Sequence, residues 1–206
     1  MKKVINFRIS LKEDKERFWR EMEVSSGYTL ARLAYAILST FEFQAYHLFM
    51  FSINGQTYEF LYDDFIDMDE ENVIEPNLVK LEEIDLKVGD KFDFIYDFGS
   101  NWEFCIEVLS ITDMEKGMTS LYPRVLNGKG QKIIEDIIPD QLIEIADLNE
   151  KNGFVDIIPI LTGNNDEGYS EFENILPFYP PVNNNKLKRE VSVFRKEYEE
   201  LYAEEY

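Results

Sequence analysis

Lys91-Phe92-Asp93-Phe94-Ile95-Tyr96-Asp97-Phe98-Gly99-Ser100-Asn101-Trp102-Glu103-Phe104-Cys105-Ile106-Glu107-Val108 is the segment from which the architecture can be read. Phe92, Phe94 and Tyr96 recur every second residue, as do Trp102, Phe104, Ile106 and Val108 after the glycine. A period of two places each set on one face of a strand. Gly99-Ser100-Asn101 supplies the turn, so the two runs form a hairpin. Asp97, beside the turn, is expected to accept backbone amide hydrogens rather than do chemistry.

Working outward, Ile5, Phe7 and Ile9 alternate with Asn6, Arg8 and Ser10, the pattern of a half-buried strand. Leu30, Leu33, Ala34, Ile37 and Phe41 lie on one helical stripe behind a Thr29 N-cap. His47–Ile53 and Thr57–Tyr62 read as short strands joined by Asn54-Gly55, a pair suited to a tight hairpin turn. Residues 17–24 fit either period. Phe18, Arg20, Met22 and Val24 share a strand face, yet the Glu and Arg content favours helix by propensity. Residues 63–75 hold seven acids and read as a solvated loop. Short helical pieces are expected near 131–137 and 140–151. Pro177, Pro180 and Pro181 with Asn183-Asn184-Asn185 mark a linker. A last helix carries Val191, Phe194, Tyr198 and Leu201 in one stripe, to be buried in the same chain or offered to a partner. The expected organisation is an α+β domain over 1–176, a linker over 177–185 and a helix over 186–206.

The 206 residues carry a net charge of −20, with aromatics at 15%. That is enough apolar material for a packed core. Residues 1–50 hold eight Lys/Arg against six Asp/Glu, so the acidity lies in the remainder. An acidic surface repels phosphate backbones, which disfavours direct nucleic-acid binding except through a basic patch in those first fifty residues. No run is long and apolar enough for a membrane span or a signal peptide, and Cys105 stands alone; a cytoplasmic protein without membrane attachment is expected.

No catalytic motif is complete. Asp97-Phe98-Gly99 matches a kinase triplet without the other kinase elements. His47, the only histidine, and Cys105 cannot by themselves build a zinc site. Carboxylates at 103 and 107 flank Cys105 and disfavour its thiolate. The acids at 63–75 and the glycines at 163 and 168 do not satisfy a calcium loop. Neither a metal nor a cofactor is expected.

The order of Trp19-Arg20, Thr29-Leu30, Phe41, His47-Leu48, Phe51, Tyr58, Tyr96-Asp97-Phe98-Gly99, Trp102 and Tyr122-Pro123 resembles the plasmid pRiA4b ORF-3-like family over roughly residues 3–136. Some of its members are labelled insertion-sequence passenger proteins of resolvase name. The resemblance implies an α+β fold, a mostly antiparallel sheet packed by helices. It also implies a strand at Trp19-Arg20, against the propensity reading. Several polar family positions are replaced here: Phe49, Ser100 and Phe104 stand where the family tends to have histidine, aspartate and histidine. Any site built from those groups is expected to be lost. The expected function is that of a non-enzymatic accessory protein of bacterial, plasmid or mobile-element type that contacts a protein partner, with Asp97, Trp102, His47, Glu135 and Asp136 as candidate binding residues. The alternatives are a carboxylate-dependent hydrolase near Asp97 and Glu135-Asp136, and an acidic DNA mimic.

Overall fold

The computed structural model describes residues 2–60, 72–130, 133, 137–152 and 184–203. Eight strands form one sheet: β1 Lys3–Leu11, β2 Trp19–Ser25, β3 Phe49–Ile53, β4 Gln56–Glu59, β5 Val73–Ile74, β6 Lys91–Tyr96, β7 Trp102–Asp113 and β8 Arg124–Lys129. Their order is β5-β4-β3-β6-β7-β1-β2-β8. Every neighbouring pair is antiparallel except the short β4–β5 contact. Among the described residues three α-helices, α1 Leu30–Phe41, α2 Pro139–Asn152 and α3 Asn184–Ala203, complete an α+β fold. The acidic segment 63–71, the two glycines at 163 and 168 and the prolines of the linker lie outside the described residues.

The central hairpin has the alternation its sequence requires. Phe92, Phe94 and Tyr96 on β6 and Trp102, Phe104, Ile106 and Val108 on β7 are all buried, and Tyr96 stands opposite Trp102. β1 pairs along the other edge of β7, adding Phe7, Ile9 and Leu11 to the same face. The opposite face is polar and internally compensated. Lys12 bridges Asp93 and Glu103 at 3.0 Å each, Lys91 faces Glu107 at 3.3 Å, and Arg8 stacks on Trp19.

α1 crosses the apolar face between β2 and β3. Thr29 caps it, its hydroxyl oxygen accepting from the Arg32 amide at 3.2 Å. Eleven of its twelve residues are buried, not only the stripe of Leu30, Leu33, Ala34, Ile37 and Phe41. The reason is α3, which packs on the outer side of α1 and buries Leu187 and Val191 in the same core. A helix covered on both sides is apolar all round. The last helix thus finds its cover within the chain at Leu187 and Val191. It starts at Asn184, whose side-chain amide accepts from Val125 N at 2.9 Å and donates to Val125 O at 3.4 Å. Asn184 thereby stands in for a missing strand on the edge of β8, where exposed backbone would invite pairing with another chain.

Residues 19–25 correct the propensity reading: they form β2, between β1 and β8. Arg20 contributes to the ambiguity: it adds helix propensity, and it points into the core, where it breaks the apolar alternation of that face. Its guanidinium is fully buried, stacked on Phe41 with 4.4 Å to the ring centroid. Nε donates to Thr40 O at 3.1 Å, Nη1 to Trp19 O at 2.9 Å and to Lys129 O, and Nη2 to Gly130 O at 3.4 Å. Thr40 O is one of the last carbonyls of α1, which the helix itself cannot satisfy. Arg20 therefore stitches the end of α1 to the end of β8.

Gly130 closes this corner with φ +87°. A Cβ there would lie 2.5 Å from Arg17 O and 2.6 Å from Phe18 Cδ1. Left-handed backbone costs a side chain about 1–2 kcal/mol, and overpacking against backbone adds about 1–3 kcal/mol. Gly130→Ala is expected to lower the free energy of unfolding by roughly 2–4 kcal/mol, measured by urea denaturation.

Candidate functional site

The turn of the central hairpin runs from Asp97 to Asn101, and its left-handed residues are Asp97 (φ 54°) and Asn101 (φ 57°) rather than Gly99. Both residue types tolerate that region. Gly99 serves a different need. Its amide donates to Asp97 Oδ1 at 3.1 Å, and a Cβ at 99 would stand only 3.3 Å from that oxygen. The turn amide that the Asp97 carboxylate was expected to accept from is thus that of Gly99. Asn101 N donates to Asp97 O at 2.6 Å, and Asp97 N donates to Leu48 O at 2.9 Å. That last bond fastens the turn to the chain entering β3. At the other end, Asn101 Nδ2 donates to Glu103 Oε1 at 2.9 Å. The Glu103 carboxyl is held below the usual range by the Lys12 ammonium first and by the Asn101 amide second.

Leu48 brings His47 with it. His47 Nε2 lies 3.7 Å from Asp97 Oδ2, close enough for an ion pair when the ring is protonated. Its backbone N–H donates to the Tyr96 hydroxyl at 3.4 Å. The Tyr46 ring lies against His47 at 4.3 Å between centroids, and the Tyr96 ring meets His47 at 5.9 Å. Two residues of this rim face solvent to an extent unusual for large aromatics: Tyr46 is 53% exposed and Phe98 43%.

The path from α1 to His47 is bent sharply. Glu42 takes φ 63°, its amide and that of Phe43 donating back to Ser39 O and Leu38 O, and Ala45 takes φ 61°. This reversal drops Phe43 into the core, where its ring meets Tyr96 at 4.8 Å, Trp102 at 5.5 Å and Phe104 at 6.3 Å. Trp102 is 1% exposed. It supports the rim from beneath and presents nothing to solvent. Of the five left-handed non-glycine residues among those described, four (Glu42, Ala45, Asp97 and Asn101) belong to this rim, and the fifth is the hairpin residue Asn54.

Of the five residues marked from sequence, the structure brings His47 and Asp97 together above a buried Trp102. Glu135 and Asp136 lie outside the described residues. Tyr46 and Phe98 were not singled out, although each adjoins a marked residue. Composition cannot say which of 28 Phe and Tyr stay outside the core. Among the described residues no group of three or more His, Cys, Asp and Glu is placed to hold a metal ion. Cys105 sits on the polar face of the sheet, opposite Ser10 and Asp93.

The hairpin turn, the His47-Leu48 approach and the buried Trp102 all lie within residues 3–181, which match the family model of the plasmid pRiA4b ORF-3-like proteins. The chain belongs to that family. The match to the pRiA4b ORF-3-like model extends well past residue 136, where the resemblance in sequence faded. A solved structure of a protein of unknown function from Methanosarcina mazei Go1 superposes with a TM-score of 0.61. It is 21% identical and the alignment covers 73% of this chain and 83% of that one, which is a likeness of fold. No curated protein matches the chain. No helix among the described residues is long and apolar enough to cross a membrane.

Proposed function

We propose that this member of the family is a non-enzymatic accessory protein of plasmid or mobile-element type, acting in the cytoplasm, and that it binds a protein partner through the rim of Tyr46, His47, Asp97 and Phe98. The observation that carries the proposal is the pair of exposed aromatics, Tyr46 and Phe98, flanking the His47–Asp97 contact. Aromatic side chains held by rigid backbone are the anchors that dominate protein interfaces. The left-handed backbone at Glu42, Ala45, Asp97 and Asn101 supports the same reading, because such conformations cost free energy and gather where a surface is shaped for use. The Asp97 carboxylate accepts from the Gly99 amide and faces His47, which fixes its place in the rim.

The partner's chemistry follows from charge. At −20 the chain attracts a basic surface, and long-range attraction of that kind is screened by salt. The tagged full chain is expected to retain a basic protein from a lysate of its source at low salt and to release it as salt rises. Tyr46→Ala and Phe98→Ala are each expected to weaken that retention about tenfold, the 1.4 kcal/mol of a modest hot spot, while the urea midpoint stays near wild type. Retention unchanged in both variants would refute the assignment of the rim.

A further inference from the structure

The rim holds a carboxylate that the rest of the described chain does not neutralise. Asp97 Oδ1 accepts from the Gly99 amide at 3.1 Å, whereas Oδ2 has only His47 Nε2 beside it, at 3.7 Å. That separation is too long for a hydrogen bond, and the ring supplies a counter-charge only when it is protonated. Among the described residues no Lys or Arg lies within ion-pair distance of Asp97. The acids on the polar face of the sheet are matched by contrast: Lys12 bridges Asp93 and Glu103, Lys91 reaches Glu107, and Arg124 pairs with Glu23. The side chains of Asp97 and His47 are 13% and 36% exposed, so the pair borders solvent directly and a ligand needs no cavity to reach it. Asp97 is also fixed in place by its backbone, which donates to Leu48 O and accepts from Asn101 N. A charge held in this way loses little freedom when a partner group meets it.

We infer that this corner of the rim is a receptor for an arginine side chain of the basic partner, the guanidinium donating to Asp97 Oδ2 and resting against the exposed rings of Phe98 and Tyr46. The inference rests on the reading of the rim as the partner's site. Phe98 follows Asp97 in the chain and Tyr46 precedes His47, and both rings are exposed. A guanidinium is planar, stacks on aromatic faces and sheds its hydration more readily than an ammonium group. Those are the properties selected by an open carboxylate oxygen set between rings. Partial shielding of Asp97 from water strengthens the contact over that of a fully exposed acid.

The test adds a capped glycine-arginine-glycine peptide to the full chain at constant ionic strength and at about pH 8, above the ordinary histidine range. His47 is the only histidine in the chain, so its imidazole NMR signals report on this corner without interference from another ring. Wild type and Asp97→Asn are titrated with this peptide and, separately, with its lysine counterpart. Asparagine tolerates left-handed backbone and keeps an oxygen for the Gly99 amide, so the substitution removes the charge and leaves the turn. A saturable shift with the arginine peptide, roughly tenfold weaker in Asp97→Asn and weaker for lysine in wild type, is the expected result. Absence of a saturable shift, equal affinity in Asp97→Asn, or equal affinity for the lysine peptide overturns the inference. If the arginine peptide fails while Tyr46→Ala and Phe98→Ala still weaken partner retention, the rim stands and the receptor falls. If the peptide binds as expected while retention ignores both substitutions, the receptor stands and the rim is not the partner's site.

Discussion

Arg20→Met is expected to destabilise the fold by roughly 3–5 kcal/mol, the scale seen when one member of a buried polar set is removed. Methionine fills much of the volume and keeps contact with Phe41. What it cannot do is donate. Thr40 O, Trp19 O, Lys129 O and Gly130 O all lose their guanidinium donor at once, at a position where the Arg20 side chain is fully buried. Each unsatisfied acceptor costs about 1–3 kcal/mol, and the four act as one unit rather than additively. Arg8→Met is the control. Arg8 makes a comparable stacking contact, 4.1 Å from the Trp19 centroid, but on the half-exposed face of the sheet. Its loss is expected to cost no more than about 1 kcal/mol. Urea unfolding of both variants, followed by two probes, decides the matter. Equal costs for the two arginines would contradict the role given to Arg20.

Trp102→Ala is the second large effect, a loss of about 3–5 kcal/mol as expected for a buried aromatic cut back to alanine. Trp102 lies opposite Tyr96 across the hairpin and against the Phe43 ring, so its removal empties the space that holds the rim up. Phe98→Ala, a few residues away on the outside, is expected to change stability by no more than about 0.5 kcal/mol. The contrast separates support from contact within one short motif. Should Trp102→Ala remain as stable as wild type yet lose its partner, Trp102 would have to be a contact residue, and the burial argument would fail.

The parts of this architecture that a period of two or 3.6 encodes were open to reading. The hairpin of β6 and β7, strand β1, helix α1 with its Thr29 cap and the Asn54-Gly55 turn all show one apolar face in the sequence. The last of these has both central residues left-handed, at φ 53° and 80°, as a two-residue hairpin needs. β2 was obscured by the helix-favouring Glu and Arg content of residues 17–24, Arg20 on its core face among them. Arg20 occupies a core position on the strength of long-range carbonyls from Thr40, Lys129 and Gly130, and local sequence holds no record of partners so distant. The full burial of α1 was hidden for a similar reason, since the second cover comes from a helix more than 140 residues later.

Two of the residues marked from sequence do meet: His47 and Asp97 are brought together because Asp97 N reaches Leu48 O. Tyr46 and Phe98 were missed because exposure is decided by backbone reversals at Glu42 and Ala45 and by the turn at Asp97. None of these left-handed residues is a glycine, the usual marker of such backbone. The turn lies where Gly99-Ser100-Asn101 placed it; within it the glycine makes room for a carboxylate, and Asp97 and Asn101 take the left-handed backbone.

The assignment of the rim is tested most directly by a photo-cross-linking amino acid introduced into the full chain at Tyr46 and, in a separate protein, at Val88. Val88 is also exposed but lies before β6, at the end of the sheet opposite the turn. Capture of a basic protein from Tyr46, diminished by added salt and absent from Val88, is the predicted result. Equal capture from both positions, or capture from Val88 alone, would contradict it.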